Sequence, residues 1–570
     1  MEEIIDQLEE YFKNSKQAFS IGLQNFQGVR EYTTIPLAPL TLVYGQNSAG
    51  KSTINDAQQF IYGFFSGNWD SKTTAEYLER WANHNRFTKP LVKGYLGKPD
   101  DVVLTVSSTT DDQDYLEWEA FYHLNQDFVE QGLAHTLFGP VMDGPIPFRI
   151  DIHFSNTVNA WSVRQFSLYL GDDICLELIL DDFQTDSESL DEYGLLKLNK
   201  QHLVYSLLDA VFVDGMEQFT TNYHPQEGSG MDEKWFLFDE LDINCELGWK
   251  KPIAWFEVDC QAERPSTEVL ELRTFFLSLM QVPTKGISRN FNFNSIPPLR
   301  PIPTKENAVF RFHINNDEKR LGWSAIAEQI CLKELDEHNS AAQLDISGSA
   351  FENLDTINRF LSHPMFLNTE YEVTGECRFL APIQALKKGD QSDGEIYEGI
   401  RGLEVEVHLK LKNKSTGCLI EIEDVGVGIS QIVPVLIAIT MSDDFNNSYR
   451  AFIQQPELHL HPKLQAQLAD AFIECINRHM VLGGFPSFII ESHSEHFLLR
   501  LLRRIRETSK SDIKNKLFSF DPENLSVLYV DKLEDGSSKI FPLRVSPDGE
   551  FIDRWPHGFF TERDGDLFDE

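Results

Sequence analysis

Apolar and polar positions alternate along the chain in ways that mark out several elements. Thr41 to Tyr44 is a strand-like run, and from Ser52 onward the pattern is helical without interruption. "DVVLTV" and "ICLELIL" carry the short alternating pattern of strands. Trp323, Ile326 and Ile330 recur at i, i+3 and i+7, which predicts a helix. Tyr449 to Ile473, "YRAFIQQPELHLHPKLQAQLADAFI", reads as a short apolar strand, an abrupt polar turn and an amphipathic helix. Ser487 to Glu491 predicts a buried strand. In "IEDVGVGISQIVPVLIAIT" an apolar helix is opened by Ser430, which is well placed as its N-cap. "RNFNFNSIPPLRPIPTKEN" is Pro-rich and predicts an extended linker or lid.

Composition narrows the class. Hydrophobic residues make up 41% and aromatics 12% of 570 residues, as in a well-buried globular protein of more than one domain or of one core with a large insertion. No apolar run approaches the roughly 18 residues of a membrane span. The acidic, amphipathic N-terminus lacks the build of a signal peptide. The seven cysteines form no C-x-x-C pair, against a zinc site or disulfide framework, and a cytoplasmic location with reduced thiols is expected. A net charge of −39 repels a phosphate backbone unless basic residues gather on one surface. Arg500 to Lys516, "RLLRRIRETSKSDIKNK", is the one such cluster, and the plainer expectation for it is a solvated helix face. Direct DNA contact is therefore not favoured, and a protein partner with a basic surface is at least as well supported. The tail "FFTERDGDLFDE" either docks such a partner or folds back with Trp555 and Phe559 in the core.

Chemistry enters with "TLVYGQNSAGKSTINDAQQFI", where Gly45, Gly50, Lys51 and Ser52 fill G-x-x-x-x-G-K-[ST] without a gap. Between a strand and a helix, such a loop folds backbone N–H groups around phosphate oxygens. Gly45, Asn47, Ser48, Ala49, Gly50, Lys51, Ser52 and Thr53 are the candidate phosphate-binding residues. Lys51 would reach the β- and γ-phosphates of ATP, and Ser52 would hold Mg²⁺. His493 stands just past the strand Ser487 to Glu491, at the edge where open α/β sheets bind ligands. His459, His461, His493 and His496 lack the companions of a tetrahedral metal site.

Taken in order, these motifs resemble the ABC-type ATPase heads of the SMC, double-strand-break-repair and OLD group. They look closest to the small bacterial anti-phage ATPases of the Septu type, some of which are encoded with retrons. The resemblance rests on "NFQGVREYTTIPLAPLTLVYGQNSAGKST", "DVGVGISQIVPVL", "QPELHLHPKLQAQLADAFI", "ESHSEHFLLRLLRRI" and "DGEFIDRWPHGFF". It implies an α/β, ABC-type P-loop ATPase head split by a long α+β insertion. Residues 1–84 would carry the phosphate loop, 85–370 the inserted β-rich arms and helices, and 371–570 the remainder of the head. It further implies that ATP lies between two heads, so that the chain forms a head-to-head dimer or a higher even oligomer. Gly426, Gly428, Ser430 and Gln431 would lie in the signature, His493 would be the switch histidine, and Pro456 to Pro462 would meet the partner head. An HNH-type nuclease subunit is the implied partner, with a reverse transcriptase and noncoding RNA as further candidates. Sustained heptads are absent, so no long coiled-coil arm is expected, and the segment after His493 is too short for the nuclease domain that OLD proteins append.

One departure from the family sets the expected chemistry. Where the related families end the strand in an acid that steadies Mg²⁺ and a glutamate that activates water, this chain has Gln454 and Gln455. An amide can orient a water but cannot accept its proton, a loss typically of about 10²–10⁴-fold in rate. Glu457 in the following loop and Glu491 on the next strand are the alternative carboxylates. The expectation is an ATP-binding subunit that hydrolyses slowly or not at all and controls a separately encoded nuclease in anti-phage defence. Its alternatives are a DNA-repair ATPase of the SMC or RecF type and a scaffold with a vestigial nucleotide site.

Overall fold

The computed structural model describes residues 2–15, 19–66, 73, 76–78, 101–109, 146–157, 160–180, 194–211, 235–238, 242–243, 258–259, 283, 286–287, 290–291, 293–313, 322–338, 352–379, 404–440, 450–481, 486–510 and 516–556. In chain order the elements are α1 (Glu2–Asn14), β1 (Ser20–Gln24), β2 (Thr33–Pro36), β3 (Leu40–Gly45), α2 (Thr53–Phe65), β4 (Asp101–Thr109), β5 (Pro147–Thr157), β6 (Ala160–Leu170), β7 (Asp173–Leu180), β8 (Gly194–Asn199), α3 (Leu203–Val211), β9 (Trp235–Phe238), β10 (Asp242–Ile243) and β11 (Val258–Asp259). They continue with β12 (Asn294–Ile296), β13 (Val309–His313), α4 (Trp323–His338), α5 (Glu352–Ser362), β14 (Tyr371–Phe379), β15 (Glu404–Asn413), β16 (Leu419–Ile420), α6 (Val427–Thr440), β17 (Arg450–Gln454), α7 (Pro462–Val481), β18 (Ser487–Glu491), α8 (Glu495–Ser509), β19 (Leu525–Lys532) and β20 (Ser538–Leu543). Two compact units result, one of Met1–Leu37, Gly45–Phe293 and Val530–Pro542, the other of Ala38–Tyr44, Asn294–Tyr529 and Leu543–Glu570.

In the first unit, an antiparallel sheet runs in the order β2-β1-β4-β5-β6-β7-β8-β9. "DVVLTV" and "ICLELIL" fall in β4 and β7, as their alternation predicts. Ile150, Ile152 and Phe154 of β5 share one buried face because side chains two apart point the same way. Helix α2 lays Phe60 and Phe64 on that face, with ring centroids 5.7 and 5.4 Å from Phe154. The Tyr11 hydroxyl of α1 donates to Asp173 Oδ2 at 2.9 Å, and burial together with that carboxylate pushes it up to about 12.

In the second unit, β12, β17, β18, β3 and β19 follow one another in the sheet, and the pairs from β12 to β3 are all parallel. Strands covered on both faces need continuous apolar runs, and Ala451, Phe452, Ile453 and Phe488, Ile489, Ile490 are all fully buried. Phe472 of α7 bridges the layers, 5.4 Å from Phe488 and 5.6 Å from Phe497 of α8. A second sheet of β13, β15 and β14, with β16 beside β15, packs against α4 and α5. Ile326 and Ile330 of α4 are buried there, at the predicted helical spacing. Trp555 packs edge-on against Tyr44, Tyr529 and Phe551, while Phe559 lies outside the described residues.

Three local expectations are corrected. Ser430 is not an N-cap: α6 starts at Val427, and the Ser430 hydroxyl lies in its first turn, donating back to the Val427 carbonyl at 3.1 Å. The Pro-rich stretch is more than a linker, because Asn294–Ile296 joins the parallel sheet beside β17 and Arg300 is buried. In the described part of the basic run, four arginines are engaged within the protein. Arg500 and Arg504 both bind the buried Asp470, Arg503 and Arg504 bind Glu507, and Arg506 reaches the Asp548 carbonyl. No helix among the described residues is long and apolar enough to cross a membrane.

Candidate functional site

The phosphate loop lies in the first unit and leads from the end of β3 into α2. Its path needs backbone angles that L side chains resist: φ is +147° at Gly45, +62° at Ser48 and +101° at Gly50. A Cβ at Gly45 would run into the Val530 carbonyl, and one at Gly50 would lie 2.5 Å from the Ser538 hydroxyl oxygen. Both glycines are thus dictated by conformation and by space. Gln46, Asn47 and Ser48 form the exposed crest, while Ala49 is buried beneath it. The Lys51 ammonium, almost fully buried, donates to the carbonyls of Gly45 and Gln46 at 3.0 Å each. It thereby lies across the loop. Ser52, at the mouth of α2, is exposed.

Two residues that the sequence reading left without a role hold this loop. Ser538 of β20 donates from its hydroxyl to the Ala49 carbonyl at 2.6 Å and from its N–H to the Gly28 carbonyl at 2.8 Å. Gln27, itself at φ +50°, accepts from the Thr53 hydroxyl at 2.8 Å and donates to Asp56. Thr53 is therefore a brace of the loop, its hydroxyl already engaged.

The second cluster forms at the carboxyl ends of the parallel strands in the other unit. Val43, Glu491 and Gln454 are successive register partners across β3, β18 and β17. The Gln454 side-chain amide donates to Glu491 Oε2 at 3.3 Å. Gln455 leaves the strand in the left-handed region at φ +45°, and its N–H binds the Glu491 carbonyl at 2.7 Å. The glutamines thus stand at the strand tip, as the sequence places them.

Glu457 sits behind that tip and is 7% exposed. Its Oε1 accepts the backbone N–H of His493 at 2.7 Å, while Oε2 has no hydrogen-bond partner. Burial raises its pKa above the usual carboxylate range, against the pull of that N–H and of Arg300. The phenol of buried Tyr44 is pushed up by the same burial and by the Glu457 charge, and it donates to the Ser494 carbonyl at 3.0 Å. Ser494 caps α8 by accepting the Phe497 N–H, and the exposed His493 immediately precedes it. Glu457 therefore fixes the backbone at His493.

Arg300 is the residue that sequence reasoning missed here. Its guanidinium donates 2.8 Å bonds to the carbonyls of both Gln454 and Gln455 and a longer 3.4 Å bond to that of Gln431. Gln431 answers with its side chain, bonded to the N–H and carbonyl of Arg300. Burial brings Arg300 down to about 10. A lone arginine within an apolar, Pro-rich stretch was the available signal. Gln431 and Ser430 are consequently turned inward, and the open part of this turn is Gly426 and Val427. Gly428 permits a close approach, since a Cβ there would lie 2.9 Å from the His459 carbonyl.

Residues 327–498 match the family described as AAA ATPase domain, and residues 520–569 match one described only as a protein of unknown function, DUF3696. No curated protein matches the chain. Among solved structures, an SMC head bound to the C-terminal winged-helix domain of ScpA is similar at 10% identity and a TM-score of 0.34, covering 93% of this chain and 98% of that one. The SMC head domain of Thermotoga maritima gives 10%, 0.33, 93% and 100%. A head with an extended coiled coil, bound to a ScpA domain derived from Pyrococcus furiosus, gives 11%, 0.34, 93% and 96%. Likeness this distant defines neither activity nor partner. The chain is an α/β protein with a parallel sheet, and its residues 327–498 resemble an AAA ATPase domain.

Proposed function

We propose that this chain binds ATP with Mg²⁺ between two copies of itself and hydrolyses it slowly or not at all. The observation that carries the reading is a complete phosphate loop in a chain whose strand β17 ends in amides instead of acids. The loop keeps its left-handed angles at Gly45, Ser48 and Gly50 and an exposed hydroxyl at Ser52. The residues present fit the metal at the loop, where the exposed hydroxyl of Ser52 at the mouth of α2 would hold it. When bound, Mg²⁺ neutralises phosphate charge. Lys51 would turn from its two carbonyls to the β- and γ-phosphates. Gln454 and Gln455 can position a water through their side-chain carbonyls but cannot take its proton. Glu457 is the alternative base, although its carboxyl group already accepts the His493 N–H. His493, exposed and fixed at its backbone, would serve as the γ-phosphate sensor, and the turn of Gly426, Val427 and Gly428 would meet the partner's nucleotide.

In this reading ATP is a latch, because a ligand that prefers the closed pair shifts its population without being consumed. On the resemblance of its motifs, the latch belongs to a bacterial anti-phage complex and restrains a separately encoded HNH-type nuclease, with a reverse transcriptase and RNA as further members. The ion pairs that occupy Arg500, Arg503 and Arg504 weigh against the DNA-clamping alternative. Sedimentation of the purified chain with ATP and Mg²⁺ tests the core of the reading. A nucleotide-dependent pair that disappears in Lys51→Ala supports it, and a chain that binds no ATP refutes it. Co-expression with the product of a neighbouring nuclease gene tests the rest: failure to co-purify would remove the nuclease while leaving the latch intact.

A further inference from the structure

Gln455 is held in a backbone conformation that its residue type resists. At φ +45° it lies in the left-handed region, which glycine visits freely and L side chains enter only against strain. Such a residue stays there when the contacts around it over-determine its conformation. Its N–H binds the Glu491 carbonyl at 2.7 Å, and its own carbonyl accepts the Leu458 N–H at 3.1 Å and the Arg300 guanidinium at 2.8 Å. Two of these bonds join backbone to backbone. The third comes from a side chain whose own place is set by another element.

That element is α6. Near its start, Gln431 accepts the Arg300 N–H on Oε1 at 3.1 Å and donates from Nε2 to the Arg300 carbonyl at 3.2 Å. The Arg300 guanidinium returns a 3.4 Å bond to the Gln431 carbonyl while it also takes the Gln454 carbonyl at 2.8 Å. Arg300 and Gln431 are both buried, where hydrogen bonds meet little competition from water. Fastened in this way, the two residues move as one piece. The same helix start touches the turn beyond Gln455 directly, since a Cβ on Gly428 would lie 2.9 Å from the His459 carbonyl.

We propose that Arg300 is a positioning residue for Gln455. It holds the left-handed conformation, and through Gln431 it makes that conformation depend on where the start of α6 lies. The other state is a relaxed backbone at Gln455, entered when the guanidinium lets go, and it redirects the Gln455 side chain. A displacement of α6 therefore shifts the balance between two states of the strand tip. In the function proposed above, that displacement would come from the partner's nucleotide at the turn of Gly426 to Gly428. Pairing of two copies would then be felt at the glutamine that orients water. This last step rests on that reading, whereas the hold of Arg300 on Gln455 does not.

The test is amide exchange on the full chain, read by mass spectrometry over peptides spanning 450–460. Arg300→Lys keeps the charge but loses the fork, and it should speed exchange there by about tenfold, the worth of one charge-assisted bond. Gln431→Ala, acting through Arg300, should speed it by about threefold. The decisive reading adds Gln455→Gly to Arg300→Lys. Glycine sits in the left-handed region without strain, so exchange should slow again by about threefold or more, the strain of one residue less the added freedom of glycine. An arginine that merely fills the core would not answer to a glycine at 455. Arg300→Met should give the same pattern with a larger effect, and Arg300→Lys carries the test if that variant fails to fold. Unchanged exchange in Arg300→Lys or in Gln431→Ala, or no recovery with Gln455→Gly, would overturn the proposal. ATP with Mg²⁺ should slow exchange further over 450–460 in the wild-type chain and not in Gln431→Ala. If both chains bind ATP and respond alike, the link from α6 to the tip is overturned. A chain that binds no ATP refutes the function proposed above and leaves the three exchange readings to decide the role of Arg300.

Discussion

Gln454→Glu provides a quantitative probe of the strand tip. The Gln454 amide donates to Glu491 Oε2 at 3.3 Å, so the substitution turns a hydrogen bond into two facing carboxylates. Two like charges about 4 Å apart repel by roughly 4 kcal/mol at an effective dielectric of about 20. Both groups are partly exposed, and solvent screening lowers this to about 1–2 kcal/mol. The pair relieves the repulsion by keeping one proton, about one pKa unit above the ordinary carboxylate range. The folded variant then binds more protons than the unfolded chain, so its stability falls as pH rises from about 4 to 6. Mg²⁺ between the two carboxylates should reverse the loss. Thermal unfolding across that pH range, in chelator and in millimolar Mg²⁺, measures both effects. A variant as stable as the wild-type chain in chelator at pH 7, or one that Mg²⁺ leaves unchanged, would show that these side chains are not the neighbours described.

Other perturbations read other parts of the account. Lys51→Ala should weaken ATP binding by about 10–100-fold, the worth of one charge-assisted contact, as followed by isothermal titration. Arg300→Met leaves the buried carbonyls of Gln454 and Gln455 without donors and should cost roughly 2–5 kcal/mol, read as a fall of about 5–15 °C in the unfolding temperature. Glu457 has a raised pKa in the folded chain, so its ionisation takes away stability as pH climbs past the carboxylate range; Glu457→Gln should flatten that part of the profile in differential scanning calorimetry. Gln455→Glu combined with Gln454→Glu should raise steady-state ATP turnover by about 10²-fold or more, measured as phosphate release.

Much of the site was legible because it is local. The phosphate loop is a contiguous run whose glycines are demanded by φ and by neighbouring atoms, and the short apolar runs of β17 and β18 read as the strands they form. What escaped notice is the long-range bracing. Ser538 reaches the Ala49 carbonyl from nearly five hundred residues further along the chain, and nothing in its own surroundings marks it. Arg300 looked like part of a linker because proline-rich composition describes the backbone rather than the carbonyls that a guanidinium can collect. Ser430 misled for a different reason. The residue type and position suit an N-cap, but α6 begins one turn earlier at Val427, and a hydroxyl in the first turn bonds back to the preceding carbonyl.

The central claim is that this fold holds ATP without spending it, and single-turnover analysis tests it most directly. Purified chain mixed with radiolabelled ATP and Mg²⁺ should retain unhydrolysed ATP in a paired form, with turnover well below about 1 s⁻¹. Turnover at or above that rate, or ATP recovered entirely free in solution, would contradict it.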